Sequence, residues 1–419
     1  MALFVSERCE YMNFSAFPQY TKFSPKVPVC CVTPNHPGAI HYFFDTSPIS
    51  PDNRYLVASI LPYEDHLNEP GDSADILLVD LDTGEEKIIA STKGWGLQVG
   101  AHAQWCGNRT ICYNDLDTDT WEPYVVKLNI MTGEKQHLNS KGIDMLSPDH
   151  KFAITHNLVN GRFHQWGYGV MVPDDKMVRN GNYPTDDGFY LTNLETGECK
   201  MLVSFAQLID AAIENPDEFK DGQFYGWMPK WSPDGKKIMY IVRWVSNGDL
   251  PRRNMLFTSD ADGSNIKLAL HYREWAKWGH HVNWHPDSKH ITMNLRHNSD
   301  HIKFVSFCWD GSDLRPIMDD IWGSGHPTIS KDGSHILTDS YFTLDSKVYD
   351  DGSVPIRWID IEKHTETEII RIMTKTELEE NFRLDPHPAW SYDWRYVAFN
   401  GYDGKQRKVY VCDMSALTD

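Results

Sequence analysis

The stretch Arg383-Leu-Asp-Pro-His-Pro-Ala-Trp-Ser-Tyr-Asp-Trp394, continuing to Tyr402, decides the fold. It reads as a leading loop, a short strand over 387–390, a tight turn over 391–394 and a second strand over 395–400. The unit recurs along the chain. Pro229-Lys-Trp-Ser-Pro-Asp-Gly235 is the cleanest copy. Val282-Asn-Trp-His-Pro-Asp-Ser288, Pro327-Thr-Ile-Ser-Lys-Asp-Gly333 and Met145-Leu-Ser-Pro-Asp-His150 repeat it, as do Ile49-Ser-Pro-Asp-Asn53 and the worn Ala103-Gln-Trp-Cys-Gly-Asn-Arg109. Seven copies at a spacing of about 40–60 residues, each with four short strands, are the signature of an all-β, seven-bladed β-propeller.

Each turn unit is followed by a second hairpin. Leu77-Leu-Val-Asp-Leu-Asp-Thr-Gly-Glu85 opens the series, and matching runs centre on Thr132-Gly133, Thr196-Gly197, Asp262-Gly263 and Asp310-Gly311. Arg357-Trp-Ile-Asp-Ile-Glu-Lys-His-Thr365 is a sixth, without the glycine that tight hairpins favour. The seventh stops at its third strand, Lys408-Val-Tyr-Val-Cys-Asp-Met414. The spare strand is at the other end, Lys26-Val-Pro-Val-Cys-Cys-Val-Thr33. An N-terminal strand in the last blade is therefore expected to close the ring and remove an exposed sheet edge.

The 419 residues thus read as one propeller domain. Residues 1–25 form a peripheral arm, and 157–187 are an insertion between strands two and three of blade three. Helices are expected over 205–214 and 374–381. The tight turns share one face of the ring. The long loops share the other, where binding and chemistry usually sit.

Net charge is −19, from 40 basic and 59 acidic residues. That argues against nucleic acid and anionic membranes as partners, since both need a basic surface. An anionic substrate needs a local basic pocket. The eight cysteines contain no Cys-x-x-Cys pair. With no secretory leader or apolar span in the sequence, they point to a reducing, cytoplasmic setting, with a periplasmic or secreted one if a signal was trimmed. Oligomeric state is not legible.

The chemistry lies in a repeat column. Four residues before the turn mark in each blade stand His102, His281, His326 and His387; the other three blades give Thr46, Ile143 and Met228. Blades five, six and seven are adjacent. His281, His326 and His387 should therefore converge on a divalent ion, with Asp385 as a carboxylate ligand and His280 as an alternative to His281. Manganese is favoured, and zinc or calcium are possible. His102 comes from across the channel and suits a general base or shared acid/base. Arg162, His164 and Tyr168 in the insertion lie on the same face, as do Arg243, Trp244 and Arg296 at strand ends. The arginines suit carboxylates, and Tyr168 and Trp244 suit sugar faces.

Through Gly325-His-Pro327 and Asp385-Pro-His-Pro-Ala-Trp-Ser391 the chain resembles oligogalacturonate lyase. Through Gly100-Ala-His-Ala-Gln-Trp105, Gly167-Tyr-Gly169 and Arg243-Trp244 it resembles the ulvan and rhamnose–glucuronate lyases. The resemblance implies a seven-bladed lyase that cleaves a 4-linked uronic acid by metal-assisted β-elimination, with a divalent ion, typically manganese, on the channel strands. It implies His102 as base, the three-histidine site as carboxylate binder, and Arg243 with Arg162 as anchors beside His164. Two departures stand out. Asp144 and Asn160 occupy positions where the ulvan-type enzymes carry Tyr and Arg. Phe382 and Asp385 stand where oligogalacturonate lyase has a ligand Gln and a His. The rival readings are a TolB-like binding propeller and a metal-dependent hydrolase or lactonase on the same fold.

Overall fold

The computed structural model describes residues 12–340, 348–374 and 382–418. Their strands form seven four-stranded antiparallel sheets arranged as propeller blades. The expected helix after blade three is Phe205–Ala212, capped by Ser204 and Gln207; the one expected over 374–381 falls outside the described residues apart from Thr374. No helix among the described residues is long and apolar enough to cross a membrane.

The repeated Ser-x-Asp turn has a physical cause. In five blades the turn serine hydroxyl bonds the aspartate two residues on, as in Ser232–Asp234 at 2.8 Å and Ser391–Asp393 at 2.6 Å. The same hydroxyl accepts the N–H of the residue that starts the second strand, Lys237 or Tyr396, at 2.9 Å. One side chain thus satisfies two groups a hairpin would otherwise leave open. In the sixth outer hairpin His364 takes the left-handed conformation, φ 52°, where other blades place glycine. The tryptophan column joins neighbouring blades. The indole N–H of Trp105 donates to the Pro48 carbonyl at 2.7 Å, and that of Trp284 to the Lys230 carbonyl at 3.1 Å.

The ring closes as expected. Val29–Cys31 pairs antiparallel with Arg407–Asp413, bringing Val29 opposite Cys412. Lys408 Nζ holds the outgoing chain through the carbonyls of Thr33, Pro34 and His36 at 2.9–3.1 Å. Residues 12–25 drape over the outside. Asn13 bonds Asp82 of blade one, and Tyr20 bonds the Arg371 carbonyl of blade six. A chain beginning at residue 35 is expected to be insoluble, because it would expose both the last blade's edge and its apolar face. A soluble, cooperatively melting truncation would contradict this.

Blade one departs from the regular pattern. Its inner strand pairs at Ala39–Ile40 and again from Pro48, while residues 41–47 leave the sheet and enter the channel. Tyr42 stacks on His102 of blade two, with ring centroids 4.3 Å apart. Phe43 meets His387 of blade seven at 4.7 Å, and Phe44 meets His281 of blade five at 6.1 Å. Asp45 forms a buried 2.5 Å ion pair with Lys230 of blade four. Contact with four other blades is possible only from the centre. This aromatic plug separates a cavity of about 430 Å³ on the long-loop face from one of about 640 Å³ on the tight-turn face.

Candidate metal centre and basic cleft

The histidine column enters the channel through strained backbone. His102, Met228, His281 and His387 have φ of 53°, 33°, 54° and 50°. In blades three and six a glycine just before the column, Gly142 or Gly325, takes the left-handed turn instead. Histidine tolerates this region better than most residues, so part of the column's composition is conformational. Such strain also marks functional sites.

His326 and His387 come together with Asp385, each offering a ligand atom within 4.8 Å of the others. His281 packs against His326 at a tilt of 35°, with centroids 3.9 Å apart, and His326 meets His387 at 4.3 Å. The three expected imidazoles are therefore side by side, and Asp385 rather than His281 completes the tightest group. The donor set fits a divalent transition ion. His326 Nδ1 lies 3.0 Å from both oxygens of Asp339, and its backbone N–H donates to the same carboxylate at 2.7 Å. A donated Nδ1 proton leaves Nε2 with its lone pair. His281 Nδ1, 2.7 Å from the Gly325 carbonyl, is set in the same way. Both rings thus have the tautomer that metal ligands require. His387 is 1 % exposed, yet neither ring nitrogen makes a hydrogen bond. A buried polar group is rarely left so without a partner.

Burial drives His387 and His281 well below the ordinary histidine range, with neighbouring imidazoles, His326 foremost, adding to the effect. Burial would raise the Asp339 carboxyl, but the charge and hydrogen bonds of His326 bring it below its ordinary value. Neutral rings at His281 and His387 are the state in which an imidazole binds metal.

The 430 Å³ cavity opens beside this cluster. His281, Arg383, Arg243, Arg252, His164 and Tyr168 are among its walls. Arg383 joins the two regions. Its Nε donates to Asp385 at 2.9 Å, and its Nη2 to the Tyr168 hydroxyl at 3.2 Å. Arg243 is stacked 3.6 Å from the Trp227 ring centroid, and its Nη1 is 3.2 Å from His164 Nδ1. Burial, then Arg252, holds its guanidinium well below the usual arginine range. Burial, then Arg243, does the same to His164. This is a local concentration of cation donors on a chain of net charge −19.

The other expected site residues lie elsewhere. Trp244 is fully buried, with its indole N–H on the Phe219 carbonyl at 2.9 Å, so no sugar face can reach it. Arg162 is committed to the Val172 carbonyl at 2.6 Å and to Asp174 at 2.8 Å. Arg296 sits 5.3 Å from the Trp278 ring centroid, outside the cleft wall. His102 is across the channel from the metal cluster with the plug between them. Its Nδ1 is 2.8 Å from the Ile143 carbonyl and 3.8 Å from Asp144. Asp144 also holds His156 Nδ1 at 2.6 Å. Burial pushes His102 down to about 4, against the pull of Asp144. Thr46, at blade one's column position, faces the tight-turn cavity.

His41, buried near His387, is also pushed down to about 4. Unfolded histidines titrate near 6.5. Between those values the unfolded chain binds more protons, so stability rises with pH through this window. The urea midpoint of metal-free protein is expected to fall as pH drops from about 6.5 toward about 4. A flat profile would contradict the buried neutral imidazoles.

No protein-family profile matches the chain, and no curated protein sequence does. Solved structures do match. The chain is similar to oligogalacturonate lyase from Vibrio parahaemolyticus, with TM-score 0.65, 14 % identity and 97 % of each chain covered. A structure of oligogalacturonate lyase in complex with manganese gives 0.64 at 14 %, covering 95 % of this chain and 96 % of that one. The β-propeller domain of the Trilobed protease from Pyrococcus furiosus, described as having an open velcro topology, gives 0.51 at 11 %, covering 90 % and 95 %. At these identities the likeness shows the seven-bladed propeller fold.

Proposed function

We propose that the protein is a lyase that cleaves a 4-linked uronic acid by β-elimination, with a divalent ion, manganese favoured, held by His326, His387, Asp385 and His281. The observation that carries this is the joining of a histidine–carboxylate cluster to a basic cleft through Arg383. Two of the similar structures are oligogalacturonate lyases, one a manganese complex, which supports the reading.

The chemistry follows from what elimination needs. The C5 proton of a uronate is weakly acidic until the adjacent carboxylate is neutralised. A bound divalent ion supplies that neutralisation as a Lewis acid. Arg243, Arg252 and Arg383 hold and orient the same carboxylate. For His102 to accept the C5 proton at Nε2, with its Nδ1 proton engaged by Ile143, the substrate must displace Tyr42 and Phe43, which stand between that ring and the His326–His387 cluster. Tyr42 covers the face of that ring and not its edge. Asp144 stabilises the imidazolium as it forms. His164, with Nδ1 accepting from Arg243, donates a hydrogen bond from Nε2 to the departing O4, and water supplies the proton that O4 takes up.

The test is a screen of 4-linked uronides with metal-loaded and chelator-treated protein, followed by the ultraviolet absorbance of the unsaturated product. Metal-dependent growth of absorbance on at least one uronide is expected. Absence of absorbance change across the screen would overturn the reading.

A further inference from the structure

Most tryptophans in this chain are buried in or between the blades, but three stand well exposed. They are Trp166, Trp278 and Trp322, at 40 %, 50 % and 44 %. All three lie on the long-loop face. Trp166 is in the blade-three insertion, Trp278 precedes the first strand of blade five, and Trp322 precedes that of blade six. Trp166 and Trp278 both line the basic cleft. Trp278 and Trp322 flank one loop, residues 296–302. Arg296 at its start lies 5.3 Å from the Trp278 ring, and His301 near its end stacks on Trp322 at 4.0 Å and 17°.

None of the three is a loose surface residue. Arg162, fixed by Val172 and Asp174, lies 5.6 Å from the Trp166 ring. Trp278 is held at φ 62°, a conformation that costs a bulky residue roughly 1 kcal/mol or more. Its neighbour Lys277 is tied to Glu274 at 2.7 Å. The Trp322 carbonyl accepts from Arg357 at 3.0 Å. Each indole therefore has a cation or imidazole beside it and area left bare. Keeping three indoles in water forgoes apolar burial worth on the order of 1–3 kcal/mol apiece.

We infer that these three indoles form a sugar-stacking row, and that the substrate is an oligosaccharide extending from the basic cleft over blades five and six. The C–H face of a pyranose packs on an indole without needing charge. That matters here, because a polyuronide approaches a protein of net charge −19. The arginines of the cleft hold the reacting unit, and binding of the units beyond it depends on Trp278 and then Trp322. The inference deepens the uronide reading and rests on it.

The test measures calorimetric affinity and steady-state kinetics on oligomers of two, three, four and five units of each 4-linked uronide in that screen, oligogalacturonides among them. Metal-loaded wild type is compared with Trp278→Ala, Trp322→Ala and Trp322→Phe. Both tryptophans are solvent-exposed, so the variants should fold. In wild type, affinity is expected to rise with chain length. Trp322→Ala should weaken binding of the longest oligomers about tenfold, leave the dimer within about twofold, and be partly rescued by Trp322→Phe. Equal effects on dimer and pentamer, or no length dependence in wild type, would overturn the row while leaving elimination standing. Length-dependent, Trp322-sensitive binding without turnover would support the row and overturn elimination. No binding at any length would overturn both.

Discussion

His387→Ala and His326→Ala are expected to lose at least about 100-fold in divalent-metal affinity, because each removes one ligand from a small shell. Turnover should fall with it and should not return at ordinary metal concentrations. Asp339→Asn is the informative companion. Asp339 does not join the ligand group, but it sets the His326 tautomer through Nδ1 and bonds the backbone N–H of both His326 and His387. A loss of about 10–100-fold in affinity is expected there. Metal titration of the folded variants checks both. If His387→Ala binds metal as wild type does, the cluster is not the site.

Loss of His102 should look different. His102→Ala is expected to keep full metal content and lose turnover by about 100-fold or more, as removal of a general base does. The plug explains the separation, since Tyr42 and Phe43 stand between His102 and the His326–His387 cluster. A variant that loses metal, or that turns over normally, would contradict the division of roles. Asp144→Asn should lower the rate in the same direction, because its charge supports a protonated His102.

The fold was legible because its signal is local and repeated. A serine that bonds both its own aspartate and the next strand must recur wherever that hairpin recurs, as Ser232 and Ser391 show. The adjacency of His281, His326 and His387 followed from register alone. Other features depend on where chains cross in space. Nothing in Tyr42-Phe43-Phe44 distinguishes a channel plug from an apolar strand, so blade one's excursion left no sequence signal. Arg383 stands in the stretch that decided the fold, but its bond to Tyr168 joins residues 215 positions apart. Trp244 follows Arg243 on an extended strand, and alternation of faces was the available clue: one side chain faces the cleft and the next the core. Asp339 carried a usable signal as a carboxylate directly after the second strand of a histidine-bearing blade.

The most direct measurement of the central reading is the mass of the product formed in heavy-oxygen water. Elimination breaks the C4–O bond by removing the C5 proton and adds no water. The metal-loaded protein should therefore release an unsaturated uronide carrying no label. A saturated product carrying one labelled oxygen would show hydrolysis, and with it a different use of the His326–Asp385–His387 cluster.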